Sequence, residues 1–355
     1  MLFRSPSANE HVDLDAVAEG LVGQHAGDVR LADHDGLSRI RRAGADQPRG
    51  PLDGRVDAVV RYGGQLEAAA ARGLTRFVGR ETELDHLQKA VERAGKSHGQ
   101  VVAVVGEPAV GKSRLFFEFT HSHRTKGWLV LETNSVSYGK ATPFQPVIDV
   151  LKAYFQIEAQ DAPRKIREKI SGKLAILDES LMPIAPAFLA LLDIPVNDPK
   201  WEALDPTQRR QRTFDACKRL LLRESQIQPL VLVFEDLHWI DSKTQAFLDS
   251  FIDSLPTARI LLLVNYRPEY EHTWGSRTYY TQLRIDPLPP ESAEELLGAL
   301  LGMDAALAPL KGLLIEQTQG NPFFLEESVR TLIETEALVG EPGAYHLVKI
   351  GRAHV

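Results

Sequence analysis

One short segment constrains the fold of this 355-residue chain more than any other: Gly106-Glu107-Pro108-Ala109-Val110-Gly111-Lys112-Ser113. It follows the apolar run Val101–Val105, which is typical of a strand buried on both faces, and it leads into a segment with helical spacing. Glycines let a backbone curl so that successive N–H groups face one point, and a helix beginning near Gly111 adds the positive end of its dipole there. The strand, loop and helix together predict a phosphate-binding loop.

Each residue type in this loop has a predicted role. In loops with this pattern the lysine, here Lys112, reaches the β- and γ-phosphates, and the hydroxyl of Ser113 is a ligand of Mg²⁺. We expect the other residues of the loop, with Arg114 at the start of the helix, to complete the cradle around the phosphates. The predicted cofactors are therefore ATP or ADP and Mg²⁺.

Two acids follow a second apolar run. Leu230–Phe234 leads directly into Glu235 and Asp236, and acids rarely end a core strand without a partner. A phosphate loop needs an acid at the end of a nearby strand to hold the magnesium ion. We assign Glu235 to the magnesium shell and Asp236 to orienting or deprotonating the attacking water, and the reverse assignment stays open.

A further strand, Ile260–Asn265, ends in polar residues. A polar group at this position could sense the γ-phosphate, and the guanidinium of Arg267 could neutralise charge there. A surface arginine without such a role is an equally good interpretation of Arg267. We include Arg267 with Glu235 and Asp236 among the candidate catalytic residues.

Strands that alternate with helices predict an α/β fold with a parallel sheet. The predicted strands are Val101–Val105, Trp128–Glu132, Leu230–Phe234, Ile260–Asn265 and Arg284–Leu288. The helical segments that follow the last strand are Glu291–Leu301, Ala306–Gln317 and Pro322–Thr335. The expected architecture is a P-loop NTPase with a parallel five-stranded sheet, followed by a small helical lid domain.

Composition limits the partners. The net charge of −7 gives no broad basic surface, so we do not expect this chain to bind nucleic acid. No run approaches the roughly 18 apolar residues needed to span a bilayer, and the N-terminus lacks a signal-peptide pattern. The single cysteine, Cys217, excludes an intrachain disulfide and favours a cytoplasmic location.

The ends of the chain differ from its centre. Residues 1–64 contain no lysine and no sustained apolar period, which predicts a disordered tail or an out-of-frame translation. The last seven residues resemble a translated sequencing adapter, so we expect the chain to be a fragment of a longer protein. The predicted organisation is a tail (1–64), a linker (65–76), an ATPase core (77–288), a helical lid with the start of a next domain (289–348) and an artefactual tail (349–355).

Several segments of the chain together resemble the STAND branch of AAA-type ATPases, including its origin-recognition-like module. These segments are Phe77–Glu81 (FVGRE), the phosphate loop, Leu232–Asp241 (LVFEDLHWID), Asn265–Glu269 (NYRPE) and Gly320–Glu327 (GNPFFLEE). The resemblance is greatest to bacterial proteins in which a class III adenylate/guanylate cyclase domain precedes this module and tetratricopeptide-like repeats follow it. Mammalian soluble adenylyl cyclases are similar in layout.

The resemblance implies roles for residues outside the phosphate loop. Val78, Gly79 and Arg80 occupy the position of the adenine-contacting loop, and Arg267 occupies the first sensor position. Pro322, in the Gly-x-Pro motif of the lid, is expected to contact the base or the sugar.

The resemblance also bears on activity and partners. Many relatives have aspartate where Glu235 stands, so we expect looser magnesium geometry and slow hydrolysis. The implied partner is an effector, either a cyclase or tetratricopeptide-like repeats. Residues 1–64 do not resemble a cyclase, so no cyclase activity is expected of this chain.

Three functional hypotheses follow. The first is a nucleotide-driven switch that hydrolyses ATP slowly and controls an effector. The second is a binding module whose nucleotide is structural and is never turned over. The third, a P-loop kinase or transporter ATPase, lacks a transporter signature and a second substrate site. The oligomeric state and the input signal stay open.

Overall fold

The computed structural model describes residues 74–135 and 143–348, together with the backbone of Val59–Arg61. The predicted tails and most of the predicted linker otherwise lie outside the described residues, so they stay predictions. The described residues form two compact units. The sheet unit contains Arg80–Asp286 and the short segment at Val59–Arg61; the helical unit contains Thr75–Gly79 and the described residues from Pro287 onward.

The sheet unit is built on a parallel sheet. Its strands are β1 (Val59–Arg61), β2 (Gln100–Val105), β3 (Leu129–Asn134), β4 (Leu230–Glu235), β5 (Ile260–Tyr266) and β6 (Tyr280–Arg284). Their order across the sheet is β1-β3-β4-β5-β2-β6, and every neighbouring pair is parallel. The predicted parallel α/β fold is confirmed, and β1 adds a short edge strand to the predicted five.

Helices surround this sheet. They are α1 (Glu81–Gly95), α2 (Lys112–Thr120), α3 (Gln145–Tyr154), α4 (Pro163–Leu177), α5 (Ala185–Leu191), α6 (Pro199–Glu202), α7 (Pro206–Ile227) and α8 (Ser242–Ile252). Every residue of β2 and β5 is buried, as expected for strands covered on both faces. None of the helices in the described ranges is long and apolar enough to cross a membrane.

In this order β5 lies between β2, which leads into the phosphate loop, and β4, which leads into the acid pair. β5 pairs with β2 on one side, where Val105 lies opposite Tyr266, and with β4 on the other, where Phe234 lies opposite Val264. Because the strands are parallel, their carboxyl ends meet at one edge of the sheet. The phosphate loop, the end of β5 and the acid pair therefore share that edge.

The predicted position of the last strand is wrong. The strand covers Tyr280–Arg284, whereas the sequence indicated Arg284–Leu288. Only Ile285 continues toward the sheet, where its N–H donates to the carbonyl of Val105 at 2.7 Å. Leu288 instead packs in the core of the helical unit, and its N–H donates to the carbonyl of Gly320 at 2.9 Å. Ile285 therefore joins the backbone of the sheet, whereas Leu288 belongs to the core of the helical unit.

The helical unit contains the predicted helices. It comprises α9 (Pro290–Leu301), α10 (Ala308–Thr318), α11 (Pro322–Glu334), β7 (Leu338–Glu341) and β8 (Ala344–Leu347). Buried leucines of the helices form its core. β7 and β8 make an antiparallel hairpin that was not predicted. The dipeptide Pro342-Gly343, which favours a turn, was the available signal for it.

Candidate functional site

The loop at residues 106–113 leaves β2 and enters α2 through strained backbone. Ala109 (φ 66°) and Gly111 (φ 96°) both adopt left-handed conformations, on either side of Val110. A Cβ at Gly106 would lie 2.4 Å from the carbonyl oxygen of Ile285, so only glycine fits there. α2 begins at Lys112, its N-cap residue Gly111 provides no side-chain cap, and the first N–H groups of a helix have no partner within it. This geometry is that of an anion-binding loop at a helix N-terminus.

Lys112 closes over the loop. Its Nζ donates to the carbonyl oxygens of Gly106, at 2.8 Å, and Glu107, at 2.9 Å, and the residue is only 7% exposed. Burial lowers the pKa of Lys112, and the negative charge of Asp236 opposes that shift. An anion in the loop would stabilise this buried ammonium, so the site suits a phosphate group.

Glu235 lies at the end of β4, and its carboxylate contacts two neighbouring elements. It accepts a hydrogen bond from the amide Nδ2 of Asn265 at 2.9 Å and another from the hydroxyl of Ser113. Burial raises the pKa of Glu235 to about 7, with a further contribution from the charge of Asp236, while the two hydrogen bonds oppose the shift.

Ser113 and Glu235 supply the hard oxygen atoms that Mg²⁺ prefers. A cation bound beside this buried carboxylate would displace its proton, and would thereby offset the cost of burying a negative charge. The described ranges contain no group of three or more His, Cys, Asp or Glu that could hold a metal. One hydroxyl and one carboxylate are the kind of partial ligand set with which Mg²⁺ keeps water and phosphate ligands.

Asn265 connects the two acids, although it was not among the candidate site residues. It is fully buried, and while its Nδ2 donates to Glu235, its Oδ1 accepts from the backbone N–H of Asp236 at 2.7 Å. Asp236 is itself in a left-handed conformation (φ 56°). Asn265 therefore holds both acids in place through one amide group. Its position at the end of a buried apolar strand was the sequence signal.

Asp236 faces two cations. Burial raises its pKa, and the charges of Lys112 and Arg267 act in the opposite direction. The guanidinium of Arg267 also lies 5.7 Å from the centroid of the Trp239 ring, within the range of a cation–π contact. The structure thus brings together all three candidate catalytic residues, Glu235, Asp236 and Arg267, beside Lys112.

A family model for the AAA ATPase domain matches residues 76–264, which is more than half of the chain. The chain belongs to the AAA ATPase domain family. Nucleotide binding is the property that this domain implies. An uncharacterized protein of Rhizobium meliloti (strain 1021) is 24% identical over 257 residues, covering 71% of this chain and 24% of the relative. The chain thus spans about a quarter of that relative's length.

Solved structures show remote similarity to this AAA ATPase chain. A STAND protein with a tetratricopeptide repeat sensor from Pyrococcus horikoshii has a TM-score of 0.38 and 14% identity, over 75% of this chain and 33% of that one. Drosophila ORC bound to DNA has a TM-score of 0.43 and 12% identity, over 89% and 70%. The Aeropyrum pernix ORC1 protein in complex with DNA has a TM-score of 0.40 and 15% identity, over 74% and 62%.

The residues that the resemblance assigned to the adenine fall in different units of the AAA ATPase chain. Val78 is buried in the core of the helical unit, and a Cβ at Gly79 would lie 2.4 Å from the hydroxyl of Ser292. Arg80 belongs to the sheet unit. Pro322 lies in the first turn of α11, where proline is well tolerated. Contacts of these residues with a nucleotide stay predictions.

Arg114 lies on the first turn of α2. Its Nε pairs with the carboxylate of Glu118 at 2.8 Å, one helical turn further along. The side chain is thus engaged on the helix itself, and contact with phosphate through Arg114 also stays a prediction.

Glu235→Gln should make the nucleotide-free protein more stable than the wild type above pH 7. With a folded-state pKa of about 7 against an ordinary 4.5, Glu235 holds a proton in the folded state that the unfolded chain releases. Its contribution to stability is therefore complete below about pH 4.5 and is lost as the pH rises through about 7. The glutamine keeps the neutral form, so the expected gain is on the order of 2–3 kcal/mol.

Urea unfolding of the two proteins between pH 4 and pH 8, with a chelator present, measures this difference. The two free energies of unfolding should converge at the acid end. Glu334→Gln, on an exposed face of α11, gives the effect of the same substitution outside the site. A constant difference between wild type and Glu235→Gln across the whole range would contradict the prediction.

Proposed function

We propose that this chain binds ATP with Mg²⁺ and hydrolyses it slowly, as a STAND-type regulatory module whose nucleotide state controls an effector. One observation carries the proposal. The carboxyl ends of three adjacent strands bring a buried lysine, a hydroxyl, two acids and the amide of Asn265 to a single point. A purely structural role does not explain two acids with raised pKa values beside a buried lysine.

Each residue of the site has a role in this proposal. Lys112 and the loop N–H groups bind the β- and γ-phosphates, and Arg267 offsets charge that develops during phosphoryl transfer. Ser113 and Glu235 hold Mg²⁺, which when bound neutralises the phosphate oxygens. Asp236 orients the attacking water and accepts its proton, and the upward shift of its pKa makes the carboxylate a better base.

The regulatory part of the proposal rests on the sequence segments shared with STAND ATPases. An effector in the same polypeptide, either a cyclase domain or tetratricopeptide-like repeats, is the partner that we propose for the longer protein. The relative from Rhizobium meliloti, of which this chain covers 24%, has room for such domains. We also propose a cytoplasmic location, because the single cysteine, Cys217, is buried and unpaired.

A non-hydrolysing binding module is the second candidate, and Glu235 favours it. A carboxyl group with a pKa of about 7 gives up its proton to a metal less readily than one with an ordinary pKa. Weak magnesium binding would leave a bound nucleotide intact.

Single-turnover release of phosphate from γ-labelled ATP, with protein in excess and magnesium present, separates the two functions. Phosphate released in proportion to bound ATP supports hydrolysis. Bound ATP that is recovered intact after hours supports the binding module. A wild-type protein that retains no nucleotide would contradict both.

A further inference from the structure

Arg80 has a buried guanidinium whose hydrogen bonds go to the protein itself. The residue is 7% exposed. Its Nη2 donates to two backbone carbonyl oxygens, that of Asp286 at 2.6 Å and that of Val110 at 3.3 Å. Its Nη1 pairs with the carboxylate of Glu83 at 3.2 Å. Both protons of Nη2 are therefore used. One binds the carbonyl of Asp286 at the end of the sheet unit, and the other binds the carbonyl of Val110 in the phosphate loop.

The contact with Val110 has a consequence for the residue that follows. In a trans peptide unit the carbonyl of one residue and the N–H of the next point in opposite directions. Arg80 holds the carbonyl of Val110, so the N–H of Gly111 is turned away from Arg80. Gly111 is the N-cap residue of α2, and its N–H belongs to the set of backbone N–H groups that would face a phosphate.

This peptide unit needs support from outside the loop. Val110 lies between two left-handed residues, and for Ala109 this conformation is strained because alanine carries a Cβ. Strained backbone persists only where surrounding contacts hold it. Lys112 holds the first part of the loop through the carbonyls of Gly106 and Glu107, and Arg80 holds the last part.

We propose that Arg80 is a positioning residue for the phosphates, rather than an adenine contact as the family resemblance implies. It fixes the Val110–Gly111 peptide so that the N–H of Gly111 faces the anion. This inference rests on the proposed nucleotide binding. Arginine is required because its planar fork reaches two carbonyls and one carboxylate at once, which the single ammonium of a lysine does not.

The test compares three ligands that share phosphates but differ in the base: ATP, GTP and tripolyphosphate, each with magnesium. Titration calorimetry of Arg80→Met and Arg80→Lys should show all three affinities lowered by a common factor of about 10–100. A base contact predicts a different pattern. Loss confined to ATP, with tripolyphosphate bound as by the wild type, would overturn the inference and leave nucleotide binding intact.

Controls separate the positioning role from folding and from charge. Glu83→Gln removes the ion pair but keeps both carbonyl contacts, so it should bind all three ligands nearly as the wild type does. All proteins are compared below their own unfolding midpoints, and Arg80→Lys, which keeps the stem and the charge, serves if Arg80→Met unfolds. Full binding by Arg80→Lys would also overturn the inference. A wild type that binds none of the ligands would overturn the proposed function as well.

Discussion

Lys112→Ala should lower the affinity for ATP by at least about 100-fold, because a buried phosphate charge loses its principal cation. Two features of the structure make the effect large. The ammonium lies within the loop, against the carbonyls of Gly106 and Glu107, and it is shielded from water. Isothermal titration with magnesium and ATP measures the loss.

Two further variants make this result specific. Lys126→Ala removes an exposed lysine beyond α2 and should leave the affinity unchanged. Lys112→Met keeps most of the buried stem, so a loss shared with Lys112→Ala is due to charge and not to packing. Wild-type affinity in Lys112→Ala would refute the assignment of the phosphate loop.

Asp236→Asn should reduce single-turnover hydrolysis by about 10²- to 10⁴-fold, the usual effect of losing a general base, with little change in ATP affinity. The backbone N–H of residue 236 donates to Asn265, and the substitution keeps that hydrogen bond, so the backbone around residue 236 should stay in place. Glu235→Gln should act mainly on binding rather than on the hydrolysis step. Magnesium-dependent binding weakens, because a neutral amide replaces the charged ligand. Phosphate release and magnesium titrations on both variants measure the two effects.

Comparing phosphate release and magnesium-dependent binding in the two variants decides the roles of the acids. If Asp236→Asn weakens binding and Glu235→Gln slows hydrolysis, the assignments of Glu235 and Asp236 must be exchanged. Unchanged behaviour in both variants would remove hydrolysis from the proposal and leave the binding module. Asp253→Asn, at an exposed aspartate paired with Arg277, is the matched control and should resemble the wild type.

Local sequence was enough to predict the phosphate loop and the fold. The loop is defined by residues within one turn and one helix start, and helix α9 (Pro290–Leu301) begins one residue before the predicted segment and ends where helical periodicity placed it. The last strand was misplaced for a different reason. Short apolar segments such as the one at 284–288 look alike whether they pair in a sheet or pack against helices.

The supporting residues of the site depend on tertiary structure that no local pattern shows. Asn265 reaches Glu235 from 30 positions away only because β5 pairs with β4. Arg80 reaches the carbonyl of Asp286 across 206 positions. A short polar or charged motif carries no information about such partners, so the hydrogen bonds of Asn265 and Arg80 were not predicted.

The same strand order has a consequence for synthesis of the chain on the ribosome. β2 pairs only with β5 and β6, both of which emerge more than 150 residues later, a delay of roughly 10–30 s at ordinary elongation rates. During that time the backbone N–H and C=O groups along both edges of β2 have no native partner, which is a recognised hazard for aggregation. A nascent chain that stops short of Ile260 already carries the phosphate loop and both acids. It still cannot assemble them, because the strand that aligns them has not yet been made.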